Sequence, residues 1–416
     1  MPVASTSTDD PVVGSADRQP GELAELTGWG NTAATAARLT RAHSPADLAA
    51  AVNRPGPRGV IARGLGRSYG DPAQNAGGQV IETTGVSEFE LDPTIGVVRA
   101  SAGASLDDLM RALVPRGFFV PVTPGTRFVT VGGAIAADIH GKNHHQAGSF
   151  CQHVESIRLA LPDGSVLDVS PTARADLFWA TAGGMGLTGI ILEATFRCRP
   201  IGSSRLVVDT DRAPDLDTVM ALMDGDDRYD YSVAWIDLLA RGRSMGRSVL
   251  GRGRFAAADE LPRAQRSDPF AYQADIIVSV PPVVPSGLLN NVSIRVFNEL
   301  WYRKAPRSRT GEIQTIPQFF HPLDMLGSWS HLYGPDGFFQ WQFVVPPEAG
   351  ETLRHIIDRL SAAGCTSFLA VLKRFGAGSP GHLSFPAPGW TLSLDIPAGD
   401  PTIARLLDQL DERVAE

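Results

Sequence analysis

The chain has 416 residues, with 37 Lys and Arg against 45 Asp and Glu, so its net charge is −8 (37 − 45). At 43% hydrophobic and 20% charged residues it is balanced like a soluble globular protein, which excludes a largely disordered chain. Net acidity without a Lys/Arg block argues against nucleic acid as a partner, and three scattered cysteines (Cys151, Cys198, Cys365) without a CxxC pair exclude a disulfide scaffold or zinc ribbon and fit a reducing compartment.

Residues 1–25 are polar and acidic and lack the basic and apolar regions of a signal peptide; they are expected to form a disordered leader, with the fold starting near Leu26. Residues 45–53 read as a short helix, 59–62 as a buried strand entering a glycine loop, and 97–103 as a strand. In SLDDLMRALVPRG, Ser105 can cap a helix with Asp107 and Asp108 in its first turn. Leu106, Leu109, Met110 and Leu113 recur at helical spacing, and Gly117 lies just beyond. Residues 153–169 read as two strands around Asp163-Gly164, and 178–197 as a glycine-rich stretch turning into a strand. Together these predict an α+β domain over 26–202.

From about 205 the pattern alternates. Phe339, Trp341 and Phe343 oppose Gln340 and Gln342, and Trp390, Leu392 and Leu394 oppose Thr391, Ser393 and Asp395. Leu353, Ile356, Ile357 and Leu360 mark a helix over 348–363. The expected second domain, 203–398, is an antiparallel sheet with helices on one side and a polar opposite face. Residues 266–292 are apolar but broken by prolines and read as a long loop, mobile or lying on something greasy. Residues 399–416 read as a helix. No run reaches the ~18 apolar residues of a membrane span, so membrane association is expected to be peripheral.

Three glycine-lined segments could approach a phosphate through main-chain amides. The first is Ala62, Arg63, Gly64, Leu65, Gly66, Arg67, Ser68, Tyr69, Gly70 and Asp71. The second holds Gly125, Thr126, Thr130, Val131, Gly132, Gly133, Ala137, Asp138, Ile139 and His140, and the third Gly186, Gly189, Ile190 and Ile191. The first lacks the helix a Rossmann turn requires, and none carries a Walker Lys-Ser/Thr. Singly each could be an ordinary turn; jointly they suggest one long phosphate-bearing cofactor. His140, His144 and His145 could instead hold a metal, but Gly141 weakens a helix joining them and no carboxylate follows, so a cofactor-facing His140 is preferred and no metal is expected. Gln340, Gln342, Lys373 and Ser393 read either as a solvated sheet face or as the floor of a polar cavity.

ARGLGRSYGD, PGTRFVTVGGAIAADIHGKNHHQAGSF and FWATAGGMGLTGII closely resemble the decaprenylphosphoryl-β-D-ribose 2′-oxidase family, within the vanillyl-alcohol-oxidase/p-cresol-methylhydroxylase superfamily. SVAWID, ELWYRK, FFHPLDM, YGPDGFFQWQF and LSFPAPGW extend the resemblance over about 26–416. It implies FAD with its pyrophosphate in the first two loops and Ile190/Ile191 near its adenine half. No His occurs in 63–75, which favours non-covalent attachment. His140 and Lys142 are implied at the flavin–substrate boundary, and Tyr69, Trp235, Gln340, Gln342, Lys373 and Ser393 around the substrate, with His140, Lys142 and Tyr69 as the catalytic candidates. The implied reaction oxidises the ribose 2-hydroxyl of a polyprenyl-phosphoryl ribose, a lipid-linked sugar. An NAD(P)H-dependent keto-reductase partner would complete epimerisation to the arabinose donor for cell-wall arabinan, at the cytoplasmic or periplasmic face of the inner membrane. The alternatives are a sugar-lactone or alditol oxidase and an inactive flavin-binding fragment. Ser393 stands where the family commonly has Cys, and 399–416 is expected to be the truncated start of a returning segment that carries a Tyr and a Lys in the family.

Overall fold

The structure, a computed structural model, describes residues 21–53, 56–225, 227–281 and 289–415. Residues 1–20 of the expected 1–25 leader and residues 282–288 of the Pro-broken segment lie outside the described residues.

Three main sheets build the molecule. In the first, Glu22–Leu26 pairs antiparallel with Thr35–Arg41, which runs parallel to Gln79–Glu82, itself parallel to Val60–Arg63. The fold therefore starts before Leu26, contrary to expectation. Glu22–Leu26 is an edge strand in which only Ala24 is buried, so no apolar run announces it. The second sheet is antiparallel, in the order Phe89–Asp92, Val97–Ser101, Ile190–Arg197, Val154–Ala160, Val166–Val169. Helix Leu106–Leu113 packs into this domain's core through Leu106, Leu109, Met110 and Leu113. Its N-cap Ser105 accepts from the Asp108 N–H, and Gly117 takes φ +81° after the closing turn.

The third sheet has seven antiparallel strands: Ser308–Thr315, Arg205–Ala213, Ser248–Phe255, Tyr231–Ile236, Ala370–Phe375, Gly389–Pro397 and Phe338–Val345. On one face Trp390, Leu392, Leu394 and Ile396 share a core with helices Leu216–Asp224, Gly350–Ala363 and Pro401–Ala415. Side chains on the other face, Tyr231 among them, join the first domain's core together with Leu206, Val208, Phe319 and Phe320. This is a two-domain α+β architecture whose halves share apolar packing.

The Pro-broken segment is more structured than a single loop. Val278–Ser279 pairs in parallel with Leu326–Gly327, and a helix, Asn291–Lys304, begins where Asn290 accepts from the N–H groups of Val292 and Ser293. That cap starts the helix as soon as the prolines end. Among the described residues no helix is long and apolar enough to cross a membrane.

Candidate active site

The polar face of the third sheet follows from strand alternation. Cross-strand pairs Gln340↔Asp395, Gln342↔Ser393, Lys373↔Thr391 and Trp235↔Val371 put these side chains on one face, turned away from the helices. Gln340 Nε2 donates to Asp395 Oδ1 at 3.0 Å and Gln342 Nε2 to Thr391 Oγ1 at 3.0 Å. Trp235 Nε1 donates to the Phe368 carbonyl at 3.2 Å. The residues expected to floor a polar cavity therefore share one face, whose two ends, Thr391 and Asp395, lie about 13 Å apart along one strand.

One end is basic. Lys373 Nζ lies 3.3 Å from His140 Nδ1, and the His140 ring centroid lies 4.8 Å from that of Phe375. Burial, with Lys373 second, holds the His140 imidazole well below its ordinary range, so the ring is neutral. Its Nδ1 accepts from Lys373, which leaves the proton on Nε2. Lys142 donates to the Phe319 carbonyl and lies 4.8 Å above the Phe319 ring. Burial and then the Lys373 charge lower the Lys142 ammonium to about 7, and burial lowers Lys373 to about 8. Gly141, between His140 and Lys142, passes so close to the Thr123 carbonyl that a Cβ would sit 2.7 Å from it. A side chain there would push both neighbours out of place.

The other end is acidic. Asp395 is completely buried, and burial raises its carboxyl to about 7 against the opposing hydrogen bonds of Gln340 and Tyr69. The Tyr69 phenol, beside it, is pushed well above its ordinary value by burial and then by Asp395. The Tyr69 ring stands edge-on to Phe338 at 5.4 Å.

Across from the floor stands the first glycine loop. The Ser68 and Tyr69 carbonyls accept from the N–H groups of Trp29 and Gly30, at 2.7 and 3.0 Å. By contrast, the N–H groups of Gly64, Leu65, Gly66, Ser68, Tyr69 and Gly70 meet no acceptor among the described residues. Such a run of open amides fits a pyrophosphate, and this is the feature by which the residues present suit FAD. Arg63 braces the loop by donating to the Thr27 and Ala73 carbonyls at 2.7 and 3.2 Å, and Arg67 lies 3.9 Å over the Trp29 ring.

In the second loop the amides at the start of helix Val131–Ala136 are already engaged. Val131 and Gly132 donate to the Ala104 and Ala102 carbonyls at 2.8 Å each, and Gly133 to the Thr130 hydroxyl at 3.2 Å. Asp138, expected to touch the cofactor, is fully buried and accepts from Cys151 N–H at 2.9 Å, Ser379 Oγ at 2.5 Å and Ser384 Oγ at 2.6 Å. It fastens the two domains together. In the third segment Ile190 and Ile191 are buried in separate hydrophobic clusters, while Gly186 and Gly189 hold φ of +78° and +156°.

The three histidines diverge. His144 accepts from Gly376 N–H at 3.2 Å, and His145 Nε2 lies 3.0 Å from the Tyr229 carbonyl. Among the described residues no group of three His, Cys, Asp or Glu side chains could hold a metal ion. Two features escaped the sequence reading. Asp395 was legible only as a carboxyl interrupting an apolar strand. The fully buried Arg127, which donates to Asp107 at 2.6 Å and contacts Asp324 at 3.4 Å, joins residues 217 positions apart whose pairing no local pattern encodes.

Residues 36–170 match the family model described as "FAD binding domain". The chain is 46% identical to the decaprenylphosphoryl-beta-D-ribose oxidase of Mycolicibacterium smegmatis, across 94% of this chain and 86% of that protein. It is 40% identical to an uncharacterised Streptomyces coelicolor protein over 75% of this chain and 86% of that one. A likeness to an FAD-linked oxidoreductase of Aspergillus fumigatus, 29% identical, covers only 34% of this chain and 31% of the relative.

Proposed function

The chain belongs to the decaprenylphosphoryl-β-D-ribose oxidase family of FAD-dependent oxidoreductases, and on that premise we propose that it oxidises the 2-hydroxyl of a polyprenyl-phosphoryl-β-D-ribose to the 2-keto sugar. The observation that carries this reading is the pairing of the open main-chain amides of Gly64, Leu65, Gly66, Ser68, Tyr69 and Gly70 with a polar floor that is basic at the Lys373–His140 end and acidic at Asp395. FAD, held without a covalent bond, supplies the two-electron acceptor for the hydride leaving the carbinol carbon.

The C–H and O–H bonds of the carbinol break as its C=O forms, so the hydroxyl proton needs an acceptor beside the carbinol. Lys142 is proposed as that acceptor, because an amine titrating at about 7 has a substantial neutral fraction at neutral pH. His140, with its proton on Nε2, can donate to a substrate oxygen; Lys373 fixes that tautomer and adds positive charge for an anionic group. Gln340, Gln342, Ser393 and Trp235 are proposed to frame the sugar, and Tyr69 to close the acidic end. An NAD(P)H-dependent keto-reductase would consume the ketone to give the arabinose donor for cell-wall arabinan, and a lipid-borne substrate would call for a peripheral position at the inner membrane.

The test is anaerobic mixing of the FAD-loaded protein with farnesylphosphoryl ribose. Bleaching of the visible flavin band is expected. Bleaching by a sugar lactone or alditol instead, with none by the phosphoryl ribose, would move the assignment to a small-substrate oxidase on the same scaffold.

A further inference from the structure

Helix Asn291–Lys304 carries an apolar stripe that is left exposed among the described residues. At 100° per residue, the buried Ile294 and Asn298 mark its inward side. Val292, Val296 and Leu300, at i, i+4 and i+8, lie on the opposite side and are 72%, 55% and 65% exposed. Phe297 and Trp301, half-exposed on one side of the helix between the stripe and Ile294, stack on each other at 18° with centroids 6.0 Å apart. A helix of this length ordinarily turns its apolar stripe inward; here a second one points outward.

The charge around the stripe is mainly positive. Residues 291–309 contain Arg295, Arg303, Lys304, Arg307 and Arg309 against Glu299, 5 − 1 = +4, in a chain whose net charge is −8; Arg303 pairs with Glu299 at 2.5 Å and Arg309 with Glu312 at 2.9 Å. Lys304 Nζ lies 6.0 Å from the Trp301 ring. Apolar residues with an aromatic pair, rimmed by basic side chains on a helix lying at the surface, match the boundary between acyl chains and anionic headgroups.

The stripe also connects with the candidate site. Phe297 meets Phe368 at 6.2 Å, Phe368 meets Tyr333 at 5.6 Å, Tyr333 stacks on Phe338 at 4.1 Å, and Phe338 meets Tyr69 at 5.4 Å. A row of aromatic rings thus links the exposed helix to the acidic end of the floor. We propose that the outward face of helix Asn291–Lys304 docks the protein onto an anionic lipid bilayer. This inference rests on and deepens the oxidase reading, since docking there would hold the protein at the surface in which a substrate with a polyprenyl tail resides.

The test is sedimentation of the FAD-loaded protein with vesicles of phosphatidylcholine, with and without phosphatidylglycerol. Binding is expected to the anionic vesicles, to weaken with added salt, and to fall by about tenfold or more in V296E/L300E. These two positions are exposed, so the variant should fold. Turnover of a short-tailed soluble substrate should be unchanged in it. The proposal is overturned if the wild-type protein stays in the supernatant at every lipid composition, if the variant binds as well as wild type, or if the substitutions abolish only a self-association of the protein. Vesicle binding requires no turnover, so failure of the oxidase assignment and failure of the docking surface give separate results.

Discussion

Lys142 and Asp395 both titrate at about 7, one at each end of the floor, and their consequences can be told apart. A lysine acts as a base only when neutral, so kcat/KM should be low below pH 7 and rise to a plateau above it. His140 adds no limb there, because its pKa already lies well below its usual value and the ring is neutral throughout. Lys142→Met should lower kcat by about 10²–10⁴-fold, the usual contribution of a positioned base, and abolish the limb. Asp395→Asn should keep it; loss of the limb in that variant would assign the titration to the carboxyl instead. The thiols offer a second check on the same surface. Cys151, Cys198 and Cys365 are buried, and burial pushes Cys198 and Cys365 up to about 12, so the native protein should resist alkylation by iodoacetamide. Ser393→Cys should gain one label, counted by mass spectrometry, and substrate should protect it.

Single elements were the most legible level of the sequence. Helix Leu106–Leu113 follows from its cap, its acidic first turn and its apolar spacing, all of which act within one turn or two. Helix Gly350–Ala363 likewise stops at Gly364, at φ +68°. Elements without such local signals escaped: strand Glu22–Leu26 is too polar, and helix Ala175–Thr181 follows Arg174 in a left-handed conformation with no side-chain cap. The glycine loops were visible, but not the way they fit together. A Cβ on Gly64 would lie 2.3 Å from the Thr130 hydroxyl, the group that caps helix Val131–Ala136. Gly64→Ala must therefore displace either the open-amide loop or the cap, at about 1–3 kcal/mol for overpacking. The expected outcome is a thermal midpoint lowered by several degrees and a purified protein with little bound flavin. Full flavin content in this variant would argue that the loop does not hold the pyrophosphate.

At the scale of the whole molecule, alternation disclosed which residues share the sheet's polar face but not what stands opposite. Lys373 and His140 are 233 positions apart, and only the packing of one domain on the other brings them together. One buried polar fastening between the domains is Asp138, which receives hydroxyls from Ser379 and Ser384, themselves 2.9 Å apart. Hydrogen bonds to a charged group contribute about 1.5–3 kcal/mol each. Ser379→Ala and Ser384→Ala should each cost somewhat less than that, because the surviving hydroxyl still reaches the carboxylate. The double variant should cost more than the sum, because both serine hydroxyls would then be lost to a buried carboxylate that keeps its Cys151 contacts. Urea unfolding of the four proteins measures this coupling directly. Asp138 lies two residues from His140, and both serines follow Lys373 on the same connection. Loosening the fastening should therefore weaken the His140–Lys373 contact and reduce kcat as well as stability. Strict additivity with unchanged kcat would show that this fastening does not seat His140 against Lys373.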